Sequence, residues 1–201
     1  MPALATSRPS LRVLRSLPAD MRAHVRLAEA RADTASLRIL PDTGAPALNW
    51  GATHEVEGWE ADRFALNAMA QAHALPASHP FVWVGNGDAV HTLRPEGVGA
   101  WIPPGSLILV DAGRRDDILW AAEQVLRARA RIVCAVELHE GPRLAESRRL
   151  QVAAENGGSL GLILIRGRAN SSTCQTRWHC ENGMWALTKN KGGGLSAWPT
   201  P

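Results

Sequence analysis

Gly58-Trp59-Glu60-Ala61-Asp62-Arg63 follows Ala52–Glu57, which reads as a short strand, the place where a strand-to-helix turn can cradle phosphate. A phosphate-binding loop of that kind reads G-x-x-x-x-G-K-[ST]. Its glycines let backbone N–H groups wrap the phosphates, its lysine neutralises them and its hydroxyl holds magnesium. Counted from Gly58, those last three positions hold Arg63, Phe64 and Ala65, so the glycine, the lysine and the hydroxyl are all missing. Trp59, Glu60 and Asp62 bring bulk and negative charge to the turn, which repels phosphate. The segment reads as a degenerate phosphate loop, a connector without nucleotide chemistry.

The other chemistry-bearing residues are equally incomplete. Glu137, after the apolar run 132–136, stands where a magnesium-binding or water-activating carboxylate would stand, a degenerate Walker B acid. After residues 81–84 the chain offers Gly85-Asn86-Gly87 and then Asp88, which reads as a turn residue. Cys174, His179 and Cys180 are close in sequence, but neighbouring strand residues point to opposite faces and chelate poorly together. His54-Glu55 begins the pattern H-E-x-x-H, but Gly58 stands where the second histidine is needed. No G-x-S-x-G nucleophile elbow occurs. These residues predict no catalytic centre, no metal and no cofactor.

The elements that would position these residues can be read from periodicity. Leu11, Leu14, Leu17, Met21, Val25 and Leu27 make an amphipathic helical stripe over residues 10–32, broken near Pro18. Residues 38–50, rich in Pro, Gly and Asn, read as a loop. From Ala52 onward, a short strand at 52–57 and apolar runs at 81–84, 107–110, 132–136 and Leu160–Ile165 alternate with helical stretches at 62–73, 115–129 and 143–156. Strands apolar on both faces, separated by helices, predict an α/β domain with a mostly parallel sheet. Residues 176–180 and 184–188 read as a hairpin turned at Glu181-Asn182-Gly183, adding antiparallel strands at an edge. On the helix at 143–156, Leu144, Ser147, Leu150, Gln151 and Ala154 form the stripe expected to face the sheet. This divides the chain into an N-terminal helical segment (1–37), an α/β domain (38–191) and a loose Gly/Pro-rich tail (192–201).

The chain has 201 residues, 45% of them hydrophobic and 20% charged, with a net charge of +3, the balance of a soluble domain. No apolar run nears the roughly 18 residues of a membrane span. Cys134, Cys174 and Cys180 form no disulfide framework, and the N-terminal arginines precede no apolar signal core, which predicts a cytoplasmic protein. Eight tryptophans against two phenylalanines and no tyrosine are expected mostly in the core or at interfaces.

Several segments in order carry a resemblance. They are 51–56 (GATHEV), 119–126 (LWAAEQVL) and 146–155 (ESRRLQVAAE) with Asn156-Gly157-Gly158, then Thr176-Arg177-Trp178 and Lys189-Asn190-Lys191-Gly192-Gly193. Over about residues 48–198 the chain resembles the RecA-type ATPase core, and more closely the ImuA family of bacterial SOS mutagenesis accessory proteins. The resemblance implies a RecA-like three-layer fold. It also implies work in translesion synthesis beside RecA, a Y-family polymerase homologue (ImuB) and, indirectly, an error-prone C-family DNA polymerase. The chain departs from RecA at the phosphate loop and the catalytic glutamate, and its connection from Ile165 to Thr176 is short for a DNA-binding loop. In RecA the segment matching Lys189 and Lys191 faces the neighbouring subunit's nucleotide, so these lysines are expected either to face RecA's ATP or to guard an edge strand. Arg148, Arg149 and Arg177 are candidates for a basic surface towards DNA phosphates or an acidic partner. The leading expectation is a non-catalytic adaptor. The alternatives are a nucleotide-binding ATPase with a noncanonical phosphate site and a RecA-like inhibitor of cell division.

Overall fold

The computed structural model describes residues 35–201. The helical expectation for residues 10–32 lies outside the described residues. Among those described, β1 (Ser36–Leu37), at the end of the segment 1–37 assigned to the N-terminal helices, pairs with β2 (Leu48–Asn49), within the stretch 38–50 expected to be loop, as a two-stranded ribbon. The main elements follow as β3 (Ala52–Glu57), α1 (Ala61–His73), β4 (Phe81–Gly85), α2 (Gly87–Thr92), α3 (Pro95–Gly99), β5 (Leu107–Asp111) and α4 (Arg115–Arg127). After these come β6 (Val133–Leu138), α5 (Leu144–Gly157), β7 (Leu160–Ile165), β8 (Thr176–Glu181), β9 (Met184–Asn190) and β10 (Ala197–Pro199).

Eight strands form one sheet in the order β10-β9-β8-β3-β7-β6-β4-β5. From β8 to β5 every pairing is parallel, while β9 and β10 are antiparallel additions. The hairpin forms as its Asn-Gly turn requires: Asn182 and Gly183 take φ of 53° and 71°, the left-handed pair of a type I′ turn. The tail is not loose throughout, because Ala197–Pro199 pairs with β9 and the Leu187 N–H donates to Ser196 C=O.

Period-two alternation sorts the core onto two faces. Phe81, Trp83, Leu162 and Leu164 meet Phe64 and Met69 of α1 on one side. Val82, Val84, Ile163 and Ile165 meet Ile118, Leu126 and Leu150 of α4 and α5 on the other. The result is helix, sheet, helix, as strands apolar on both faces demand. Trp83, Trp178 and Trp185 are fully buried, whereas Trp59 and Trp120 are exposed. The packed stripe of α5 is Ser147, Leu150, Ala153, Ala154 and Gly157. Leu144, expected within it, is exposed in the helix's first turn, and Gln151 instead accepts the Thr53 N–H at 2.9 Å. Gly157 is where α5 meets α4: a β-carbon there would lie 1.9 Å from the Leu126 carbonyl oxygen. The helix stops at Gly158, in the left-handed conformation. Among the described residues no helix is long and apolar enough to cross a membrane.

Candidate functional site

A cleft of about 1000 Å³ opens where β3, β4, β6 and β7 present their carboxyl ends, as open α/β sheets place their ligand sites. Glu57, Asp62, Asp88, Glu137 and Arg166 line it, and Trp59, 88% exposed, stands among them. The degenerate phosphate loop forms one wall. Gly58 has φ of 97°, and a β-carbon on it would lie 2.3 Å from the Cys180 carbonyl oxygen, so the loop is pressed against β8. The Glu60 N–H donates to that same carbonyl at 3.0 Å. The Glu60 carboxylate in turn accepts the Gly183 N–H at 2.9 Å and the Thr200 hydroxyl at 3.3 Å. Two backbone and two side-chain contacts thus stitch the loop to the hairpin and the tail. Backbone donors used in this way are not arranged around a phosphate.

The three positions that fail the phosphate-loop pattern are placed elsewhere. Arg63 donates to the Pro201 carbonyl. Phe64 is fully buried, its ring 4.8 Å from that of Trp185 and 5.3 Å from that of Trp178. Ala65 is also buried. The floor of the cleft is an ion-paired triad that the sequence alone did not reveal. Arg166, the first residue after β7, donates through Nε to Glu137 Oε1 at 2.8 Å and through its terminal nitrogen to Asp62. Glu137 Oε2 also accepts the Trp83 indole N–H at 3.4 Å. The candidate Walker B acid therefore does project into the cleft, but it is tied to an arginine and an indole.

Electrostatics follow from that packing. Burial pushes the Asp62 carboxyl up from its ordinary value, against the pull of Arg166, and the Glu137 charge adds to the rise. Burial works to lower the Arg166 guanidinium, but the Glu137 and Asp62 carboxylates hold it above its ordinary value. The triad is a cation neutralised by two anions, and it offers no free positive charge to a polyphosphate. Nearby, His179 Nε2 lies 3.0 Å from Glu181 and Nδ1 3.6 Å from Glu57. Asp88 is exposed in the first turn of α2.

The remaining candidates do not converge. Cys174 and Cys180 are buried, and His179 projects from the opposite face of β8 to Cys180. Burial pushes the thiols up, Cys134 to about 12 and Cys174 to about 11, which leaves them inert as nucleophiles. Among the described residues no group of three His, Cys, Asp or Glu side chains is disposed to hold a metal. His54 is buried, with Nδ1 2.8 Å from the Thr176 hydroxyl. Its neighbour Glu55 turns to the other face and pairs with Arg177, whose terminal nitrogen lies 2.8 Å from Oε2.

That pairing decides how the proposed basic residues stand. Arg177 is committed to Glu55 and to the Asn170 carbonyl. Arg149 is committed to Glu123, which also holds Arg127, while Arg148 is exposed. Lys189 donates to the Ser172 carbonyl at 2.8 Å and to its hydroxyl at 3.1 Å, and Lys191 to the Thr173 carbonyl. Both lysines strap the connection between β7 and β8. A signal for the missed arginine was present: a charged residue directly after the most apolar strand lies at a carboxyl end. Its partners Asp62 and Glu137, 104 and 29 residues distant, could not be read from it. The chain matches no protein-family model, and no curated protein is similar to it.

Proposed function

We propose that this chain is a non-catalytic RecA-like adaptor of DNA-damage-induced translesion synthesis, a cytoplasmic protein that binds RecA and a Y-family polymerase homologue. The observation that carries the non-catalytic half is the Asp62–Arg166–Glu137 triad at the cleft floor. A triphosphate entering there would meet two carboxylates and an arginine already neutralised by them. The loop beside it has its backbone donor and its glycine turned to the hairpin. Binding would require breaking the triad, and the loop 58–65 has no lysine or hydroxyl to replace what is lost.

The RecA-like half is supported by the arrangement of the elements. The strand before the degenerate loop is central, helices cover both faces, and an antiparallel hairpin extends one edge. Two of the resembling segments, 119–126 and 146–158, pack together through Gly157 on Leu126 and Arg149 on Glu123. That likeness therefore bears on the fold more than on chemistry, which suits an adaptor. For Lys189 and Lys191 to face RecA's nucleotide they would exchange the Ser172 and Thr173 carbonyls for phosphate oxygens. Such a switch belongs to the bound state only.

The test is co-elution of the full-length protein with RecA on a sizing column, with and without ATP and single-stranded DNA, alongside direct ATP titration of the protein alone. The expected result is a complex with RecA and no saturable ATP binding by the isolated chain. Saturable binding that Arg166→Ala alters would overturn the non-catalytic reading in favour of a noncanonical nucleotide site. Absence of a complex with both RecA and the polymerase homologue would overturn the adaptor reading.

A further inference from the structure

Ala197–Pro199 is the shortest strand of the eight-stranded sheet, and Gly192-Gly193-Gly194 leads into it. None of these glycines takes a left-handed backbone, and a β-carbon on Gly194 would meet nothing within 4 Å. Neither a turn nor a close approach therefore demands glycine here, and what the run supplies is backbone freedom. The Asn190 side chain bonds the Gly192 N–H and the Gly194 carbonyl, which fixes the point from which the following segment springs.

Little apolar burial holds that segment down. Leu195, Ser196, Ala197, Pro199 and Pro201 are exposed. Trp198 is partly buried, its ring 5.6 Å from that of the buried Trp178 and its indole N–H donating to the Thr43 carbonyl at 3.2 Å. Along the sheet edge the Leu187 N–H donates to Ser196 C=O and the Thr200 N–H to Gly183 C=O, while Pro199 has no N–H to give. The hairpin beneath buries Trp178, Trp185 and Leu187. Few buried contacts and a short row of bonds mark a unit that opens at lower cost than the whole fold. Its far end reaches the wall of the cleft. The Thr200 hydroxyl donates to Glu60 Oε2 at 3.3 Å, and the Pro201 carbonyl accepts from Arg63.

We infer that residues 195–201 form a strap over the loop 58–63, opening on the 192–194 hinge while the sheet stays folded. Closed, the strap clamps Glu60 and Arg63 and covers the Trp178 ring. Open, it frees both side chains and bares that ring. The cleft wall thus has a clamped and a released state, and a ligand that binds the released one draws the strap open. The inference goes beyond the adaptor reading and requires no partner.

Residue-resolved amide hydrogen exchange of the full chain across a series of urea concentrations tests it. The Leu187 N–H, and by strand alternation that of Trp185, points to β10, whereas that of Ala186 points to β8. Leu187 and Trp185 should exchange at least about tenfold faster than Ala186, with little dependence on urea. Trp198→Ala should quicken them a further tenfold or so, measured against Leu162 in the central sheet. In that variant the Glu60 and Gly183 amides, which seat the loop on Cys180 and on the Glu60 carboxylate, should quicken at least about twofold. Gly194→Ala should act in the opposite sense, slowing Leu187 and Trp185 about two- to fivefold by removing freedom from the open state. Exchange of Leu187 and Trp185 at the rate and urea dependence of Ala186 would overturn the inference, since the strap would then open only with the fold. Unchanged Glu60 and Gly183 amides in Trp198→Ala, or faster strap amides in Gly194→Ala, would overturn it as well.

Discussion

Replacing Arg177 by methionine isolates a buried carboxylate in the middle of the sheet. Glu55 is fully buried on central strand β3, and Arg177 holds its Oε2 through Nε at 2.9 Å and a terminal nitrogen at 2.8 Å. Oε1 has no hydrogen-bond partner, and Lys189, which its charge reaches, is engaged with Ser172. Without Arg177 the carboxylate must stay charged and unpaired, or take up a proton. Stranding one member of a buried pair costs about 3–5 kcal/mol. With a urea slope of ~2 kcal/mol per molar, the unfolding midpoint should fall by roughly 2 M. Glu55→Leu should cost less, because Arg177 keeps the Asn170 carbonyl, and its side chain, 19% exposed, can turn to water. The double variant Glu55→Leu/Arg177→Met should return to within about 1 kcal/mol of the parent, since an apolar pair of similar volume avoids both desolvation costs. Urea denaturation of the four proteins completes the cycle. A loss under about 1 kcal/mol for Arg177→Met, or additive single effects, would refute the reasoning.

Three further outcomes can be measured on the same material. Burial holds His54 down at about 4 against an ordinary 6.5, so the folded chain keeps it neutral where the unfolded chain binds a proton. Stability present above pH 6.5 is therefore lost as pH falls from 6.5 to about 4, by about 3 kcal/mol, and His54→Gln should flatten that limb of the pH–stability curve. Phe64→Lys restores the lysine of a phosphate loop but drives an ammonium between Trp178 and Trp185. It should lower stability by about 4 kcal/mol or more and bring no ATP binding, as thermal melts and nucleotide titration can check. Gly157→Ala should cost about 2–4 kcal/mol by pushing α5 off the Leu126 carbonyl. Gly105→Ala, with nothing within 4 Å, should change the urea midpoint very little.

Much of the fold was legible because its signals are local. The alternation of apolar runs with helical stretches and the Asn182-Gly183 turn each act within about ten residues, and the structure carries both. The missing lysine and hydroxyl at Phe64 and Ala65 were legible for the same reason. Short pieces were not. β1 and β2 are two residues each, and β10 has three, so none shows a period; β10 exists because β9 offers a free edge. Leu144 follows the helical period but lies in the first turn of α5, where the helix projects past its packing surface. The fate of the charged residues was decided by tertiary structure alone. Arg166 meets Asp62 and Glu137, Arg177 meets Glu55, and Lys189 and Lys191 meet the 166–175 connection only because the strand order brings β3, β6, β7 and β8 side by side. Pattern along a chain specifies which faces are apolar. Which cation neutralises which buried carboxylate depends on neighbours across the sheet, and no window of sequence contains both.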